Sequence, residues 1–185
     1  LRRDQAYLGV MIDDLVTREL AEPYRLFTSR AEFRLLLRQD NADLRLTPIG
    51  YELGLICKER YEAVEAKREA IAREIKRLNK THFVPPDNGR ATSGAAFLRR
   101  PEVSYETLIS LGFGANELGR DAREQVEIEV KYQGYIDMQS KDIERVRRLE
   151  EWRLPSDVDY ASLSGLRTEA GLKLNKFRPA TLGQA

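Results

Sequence analysis

The arginines between positions 25 and 45 are the side chains of this chain best suited to bind a ligand. They are Arg25, Arg30, Arg34, Arg38 and Arg45, and the rings of Tyr24, Phe27 and Phe33 stand among them. Guanidinium forks bind carboxylates or phosphates bidentately. Aromatic rings beside them can stack unpaired bases. The segment is therefore a candidate surface for a nucleic acid.

The local pattern of this segment predicts a helix. Ser29 and Glu32 have the spacing of a capping box, so a helix would begin at Arg30 and run to about Arg38. Arg30, Arg34 and Arg38 would then share one face and face an external polyanion. The alternative is a structural network of ion pairs with the nearby acids, which are Glu22, Glu32, Asp40 and Asp43.

Composition limits the classes of site that the chain can build. There are 31 Lys and Arg against 30 Asp and Glu, so any surface for a polyanion must arise from local segregation of charge. One Cys and one His leave no disulfide, no cysteine cluster and no pair of imidazoles for zinc, so we predict no metal site. No long apolar stretch or signal peptide is present. We find no catalytic carboxylate pair and no glycine-rich phosphate loop.

Hydrophobic periodicity predicts a mainly α fold with two long amphipathic helices and several short ones. The long helices should span about 58–79 and 120–152, and Pro155 ends the second. Shorter helices are expected to start at Thr47-Pro48, at Ser93 and after Ser104. Residues 1–20 are ambiguous between helix and strand, so a small extended segment before Thr28 stays open. We predict three regions: 1–45 with the arginine-rich helix, 46–155 with the long helices, and a short-helix region at 156–185.

The second long helix carries a glycine between two tyrosines. Lys131, Tyr132 and Tyr135 could line an RNA surface. Gly134 costs about 1 kcal/mol relative to alanine in an exposed helix interior. This cost indicates either close packing against another helix, which we favour, or contact with a partner. A later basic cluster is predicted to be a solvated face because acids flank it; it comprises Arg145, Arg147 and Arg148.

The last thirty residues contain more apolar side chains than one short helix can hide. Leu166, Leu174 and Phe177 cannot share a single stripe, so part of this surface should stay exposed. Basic residues surround it, as expected of a docking site for a partner. The candidate partner-binding residues are Leu166, Lys173, Leu174, Phe177 and Arg178. Ser164-Gly165-Leu166 also has the pattern of half a helix-hairpin-helix, or of an ordinary turn.

Several blocks of sequence carry a resemblance to a known family. They lie in the family's order at 5–15, 22–46, 125–136, 154–160 and 164–185, while 85–100 is the least similar stretch. The chain resembles the C-terminal region of the MnmG (GidA) family, the FAD-dependent tRNA uridine 5-carboxymethylaminomethyl modification enzymes.

This resemblance implies a role in modifying the wobble uridine of tRNA together with the GTPase MnmE. FAD, NADH and a folate one-carbon donor would serve the parent enzyme, with the flavin site in an N-terminal domain outside this chain. We therefore expect a piece cut at both ends that is inactive alone, belongs to a cytoplasmic homodimer and binds tRNA and MnmE. The alternatives are a structural scaffold for dimerisation and MnmE docking without tRNA contact, and an unrelated RNA-binding module that shares only the arginine segment.

Overall fold

The structure, a computed structural model, describes residues 1–17, 22–86 and 89–185. Seven α-helices lie within these residues: α1 Tyr7–Thr17, α2 Ala42–Glu52, α3 Lys58–Lys80, α4 Gly94–Leu98, α5 Tyr105–Ser110, α6 Arg120–Glu151 and α7 Thr168–Phe177. Two 3-10 turns occur at Thr28–Arg30 and Tyr160–Ser162. Strands β1 His82–Phe83 and β2 Thr92–Ser93 pair antiparallel, with His82 opposite Ser93. The predicted mainly α fold is confirmed.

Both long helices form where hydrophobic periodicity predicts them. In α3, Val64, Ile71 and Leu78 recur every seven residues and are buried, while charged residues cover the opposite face. In α6, Val126 and Val130 are buried early in the helix and Ile143 is buried later. No helix within the described residues is long and apolar enough to cross a bilayer.

The chain divides into two compact units, Leu1–Ile136 and Asp137–Ala185, and α6 contributes residues to both. The main core lies in the first unit, where α3, α4, α5 and the start of α6 bury Leu78, Leu98, Leu108 and Val126. In the second unit, α7 packs against the 3-10 turn at Tyr160–Ser162. The sequence-based boundaries near 45 and 155 stay predictions.

The first unit also buries a polar network. The Tyr105 hydroxyl donates to Glu74 Oε1 at 2.6 Å and accepts from the Ala115 amide at 3.0 Å, while Arg77 donates twice to the same carboxylate. Burial alone would raise the pKa of Glu74, but the hydrogen bonds from Arg77 and Tyr105 outweigh it and lower that pKa. Burial and the bond to Glu74 raise the pKa of Tyr105 to about 12.

We expect Tyr105→Phe to lower the free energy of unfolding by about 1–3 kcal/mol, because it leaves the Ala115 amide unpaired and removes a donor from buried Glu74. Wild-type stability should also fall as the pH rises from the ordinary tyrosine range to about 12, since the unfolded phenol ionises first. The variant should lack that alkaline loss. Denaturant titrations at neutral and alkaline pH measure both effects, and an equal alkaline loss in the two proteins would contradict the assignment.

The predicted helix start at Thr47-Pro48 is wrong, because α2 begins at Ala42 and contains Pro48 in its interior. A proline cannot donate to the carbonyl four residues earlier, which here belongs to Leu44. The Arg68 guanidinium, from α3, donates to that carbonyl instead. A tertiary hydrogen bond thus satisfies the acceptor that the proline leaves open. Gly54, with φ of +72°, follows the end of α2.

The ambiguous N-terminal residues form helix α1. Between Glu22 and Phe27 the described backbone has no regular secondary structure, although Phe27 itself is extended, with φ −93° and ψ 148°. The possible extended segment before Thr28 is therefore a connection, and no strand forms there among the described residues.

Candidate nucleic-acid interface

The arginine segment does not form the predicted helix. A 3-10 turn spans Thr28–Arg30, Ala31 is extended, and turns follow to Leu36. The predicted capping box fails because Glu32 pairs with Arg3, whose Nη2 lies 2.6 Å from Glu32 Oε1, instead of reaching back to Ser29. The same guanidinium donates to the Arg30 carbonyl at 3.1 Å. Long-range pairing with Arg3 therefore replaces the local helix, and the arginines do not share a helix face.

Asp14 organises this part of the chain from helix α1. Its side chain is fully buried, and its oxygens accept from Arg3 Nη1 at 2.7 Å and from the Tyr24 hydroxyl at 3.0 Å. The Arg30 guanidinium lies 3.5 Å from the same carboxylate and stacks over the Tyr24 ring at 4.8 Å. Partial burial and the bond to Asp14 raise the pKa of Tyr24. Arg30 is thus engaged internally.

Arg38 and Arg45 are also engaged within the chain. Arg38 pairs with Asp40 at 3.1 Å and donates to the Leu35 carbonyl. Arg45 donates to Asn41 Oδ1 at 2.9 Å, to the Arg38 carbonyl at 3.0 Å and to the Gln5 carbonyl. Burial lowers the pKa of Arg45. Arg38 thus forms one ion pair of the structural alternative, whereas Arg45 binds amide and carbonyl oxygens and none of the acids that the alternative named.

Arg25 and Arg34 differ from the other three arginines. Both side chains are exposed, and neither pairs with a carboxylate in the described ranges 1–17, 22–86 and 89–185. Arg25 lies over the exposed Phe27 ring, with its guanidinium carbon 5.2 Å from the ring centre. A free guanidinium beside an accessible ring can hold a phosphate next to a stacked base. The five predicted arginines therefore separate into three internal side chains and two that are available to a ligand.

The tyrosine pair on α6 is accessible as well. Tyr132 and Tyr135 are 46% and 60% exposed, and their ring centres lie 6.3 Å apart. Lys131 pairs with Glu127 at 2.9 Å. A Cβ added at Gly134 would meet no atom within 4 Å, so the tight helix crossing favoured from the sequence is wrong. Packing within the described part of the chain gives no reason for this glycine.

The apolar C-terminal candidates Leu166 and Phe177 are exposed before the start of α7 and at its end, and their role in partner binding stays a prediction. Phe177 is 53% exposed and Leu166 is also exposed, whereas Leu174 is half-buried. Lys173 pairs with Glu169 at 2.8 Å. Arg178 adopts a left-handed conformation that ends α7, and it donates to the Val158 carbonyl at 3.0 Å. Lys173 and Arg178 therefore have structural contacts, and the apolar side chains are the ones open to a partner.

Asp14 is the main residue that sequence reasoning missed. It lies four residues after Val10, so both fall on the same buried face of α1. A carboxylate on an otherwise apolar helix face is the signal that could have identified it, since a buried charge requires partners. Its partners come from positions 3, 24 and 30, and only the tertiary fold brings them together.

The pair Gly112 and Gly114 does not form a phosphate loop. Gly112, with φ of +78°, ends α5, and Gly114 lies against Ile109, so this glycine pair forms a helix terminus. A phosphate loop would instead follow a strand and open a helix. In the part of the chain that the structure describes, no three His, Cys, Asp or Glu side chains cluster to hold a metal.

The fold and the exposed arginines and tyrosines define a helical domain with a cationic, aromatic surface. Residues 58–140 match the family model for the tRNA modifying enzyme MnmG/GidA C-terminal helical domain, and residues 142–185 match that for the C-terminal helical bundle of the same enzyme. The chain belongs to the MnmG/GidA family. This finding confirms the resemblance drawn from the sequence motifs.

Individual relatives support the same assignment. The chain is 50% identical to the tRNA uridine 5-carboxymethylaminomethyl modification enzyme MnmG of Caldicellulosiruptor saccharolyticus, covering 100% of this chain and 32% of the relative. For the enzyme of the same name from Geobacillus thermodenitrificans the values are 48%, 100% and 32%. The structure of Aquifex aeolicus GidA in the form II crystal is 40% identical, with a TM-score of 0.80 over 100% of this chain and 30% of that one. The chain spans about a third of its curated relatives.

Proposed function

We propose that this chain is the tRNA- and partner-binding helical region of an enzyme that, with the GTPase MnmE, adds an aminomethyl-type group to C5 of the wobble uridine. Membership of the MnmG/GidA family supports the reaction class. In this proposal the parent enzyme is a cytoplasmic homodimer and takes its redox chemistry from FAD and NADH. These cofactors bind in the part of the relatives' length that the chain does not span.

The observation that supports the tRNA-binding role is that the five arginines fall into two groups, one bound within the chain and one exposed. Arg30, Arg38 and Arg45 have internal acceptors, while Arg25 and Arg34 are exposed without a carboxylate partner in the described residues. Two accessible guanidiniums, one of which lies over the exposed Phe27 ring, suit phosphates and unpaired bases. The exposed tyrosines of α6 add a second place for a base to stack.

A tRNA titration across a range of salt concentrations tests this role in the full-length enzyme. Arg25→Gln combined with Arg34→Gln should flatten the log–log salt slope by about 1.4–1.8, because each lost phosphate contact removes about 0.7–0.9. The thermal midpoint should change little, since both side chains are exposed and Arg25 loses only its contact with the exposed Phe27 ring.

The matched control is Arg30→Gln, which removes the same charge from an arginine that Asp14 holds. This variant should lower the thermal midpoint and leave the salt slope nearly unchanged. If the double variant kept the wild-type slope, the chain would be the structural scaffold of the alternative hypothesis, which the internal contacts of Arg38 and Arg45 favour.

A further inference from the structure

The second unit carries a row of basic side chains that ends in a tryptophan. Lys141, Arg145, Arg148 and Trp152 follow one another at steps of four, three and four residues along the end of α6 and the residue after it. This spacing places them on one helix face. All four are exposed, and Trp152 is 63% exposed. We call these four residues the basic face.

The basic face is not neutralised by its neighbours. Glu144 stands four residues before Arg148, the spacing of a helical ion pair, yet neither it nor any other described carboxylate pairs with Lys141, Arg145 or Arg148. On α3, by contrast, Lys58 pairs with Glu62 at 3.4 Å. Arg145 and Arg148 are exposed, which agrees with the solvated face expected from the sequence, and neither forms an ion pair with a described carboxylate.

The main chain of Trp152 is hydrogen-bonded, although its side chain is exposed. Its carbonyl accepts from the Leu182 amide at 2.8 Å, and its amide donates to the Leu149 carbonyl at 3.3 Å. Its indole lines a shallow cavity of about 270 Å³ together with the three basic side chains, Glu144 and Leu149. An accessible indole on a hydrogen-bonded main chain, beside cations that form no ion pair, offers a stacking surface for a base.

We propose that the basic face is a second tRNA contact, in which Lys141, Arg145 and Arg148 bind backbone phosphates and Trp152 stacks an unpaired base. The proposal rests on the proposed function, which makes tRNA the substrate. Charge complementarity favours RNA as the occupant, because rows of cations next to an aromatic ring are typical of sites for single-stranded nucleic acid. The row spans about 10 Å along the helix from Lys141 to Arg148.

Salt-dependent tRNA titration of the full-length enzyme tests the phosphate contacts. Arg145→Gln with Arg148→Gln should flatten the log–log slope by about 1.4–1.8. Trp152→Ala should weaken binding by about tenfold with the slope unchanged, since stacking releases no counterions. The matched control is Lys58→Gln with Arg73→Gln, which removes two exposed charges that pair with Glu62 and Glu69, and it should change neither quantity.

Tryptophan fluorescence gives an independent readout, because Trp152 is the single tryptophan of this chain. The emission of Trp152 is the difference between the full-length enzyme and its Trp152→Phe variant. Saturating tRNA should quench that difference signal by at least about half if a base stacks on the indole. An unquenched signal together with a wild-type slope in the arginine variant would overturn the proposal.

The outcome for Arg25 and Arg34 separates this inference from the proposed function. If their double variant flattens the slope while the basic-face variants do not, only the second contact is wrong. If none of the variants alters the slope, the tRNA-binding role itself fails. Loss of MnmE association from Arg145→Gln with Arg148→Gln at unchanged tRNA affinity would assign the face to a protein and also overturn the proposal.

Discussion

Replacing Asp14 with asparagine is expected to lower the free energy of unfolding of the first unit by about 3–5 kcal/mol. The carboxylate is fully buried and lies within hydrogen-bond or ion-pair distance of Arg3, Arg30 and Tyr24. Removing one partner of a buried ion pair costs about this much because the remaining charges are left uncompensated. An asparagine amide would also direct a donor at guanidinium donors. Denaturant unfolding, followed by amide exchange in residues 1–37, measures the loss.

Asp13→Asn is the matched control for this prediction. Asp13 also pairs with Arg3, at 2.9 Å, but its side chain is 44% exposed. Exposed ion pairs contribute about 0–1 kcal/mol, so Asp13→Asn should change the free energy of unfolding by no more than that. If both variants were equally stable, the buried network would not hold the arginine segment in place. Because Arg30 belongs to this network, Asp14→Asn should also disturb the turn that presents Arg25 and Arg34.

Phe177→Asp in the full-length enzyme is expected to weaken association with MnmE by about 30-fold or more. Phe177 is 53% exposed at the end of α7 and is one of the predicted partner-binding residues. A charge placed in the centre of an apolar interface has an effect on the scale of a hot-spot truncation. Lys176 lies over the Phe177 ring at 5.2 Å, and losing that contact affects only the surface. The thermal midpoint should therefore change little.

Leu55→Asp provides the control for the docking prediction. Leu55 is 77% exposed in the first unit. The substitution therefore adds the same charge to an exposed apolar side chain that is not one of the predicted partner-binding residues. It should leave MnmE association unchanged in the same pull-down. Normal association of a stable Phe177→Asp variant would show that Phe177 does not contribute to MnmE binding.

Local sequence signals predicted the helices and several of their ends. The seven-residue recurrence of Val64, Ile71 and Leu78 gives α3 an apolar face, which packing against other elements then buries. Ser104 caps α5 as predicted and accepts from the Thr107 amide at 3.3 Å. Gly112 ends that helix in the left-handed region. Such features depend on residues within one turn of one another, so the sequence specifies them directly.

The failed predictions depend on partners that are distant in sequence. Ser29 and Glu32 have capping-box spacing, yet Arg3 binds Glu32 across 29 positions. Pro48 should open a helix, yet Arg68 supplies the missing donor to the carbonyl of Leu44. In both cases a guanidinium from another segment binds the acceptor through a charge-assisted hydrogen bond that the local pattern does not show.

The sequence by itself determined the helical class, the two long helices and the family of this protein, because periodicity, caps and ordered motifs are local properties of the chain. Only the tertiary structure decided which arginines are available to a ligand. Arg30 and Arg34 are the same residue type but differ in their availability to a ligand. Asp14 lies beside Arg30, and no described carboxylate pairs with Arg34. Availability of a charge is set by neighbours that folding brings together, and residue type alone does not contain that information.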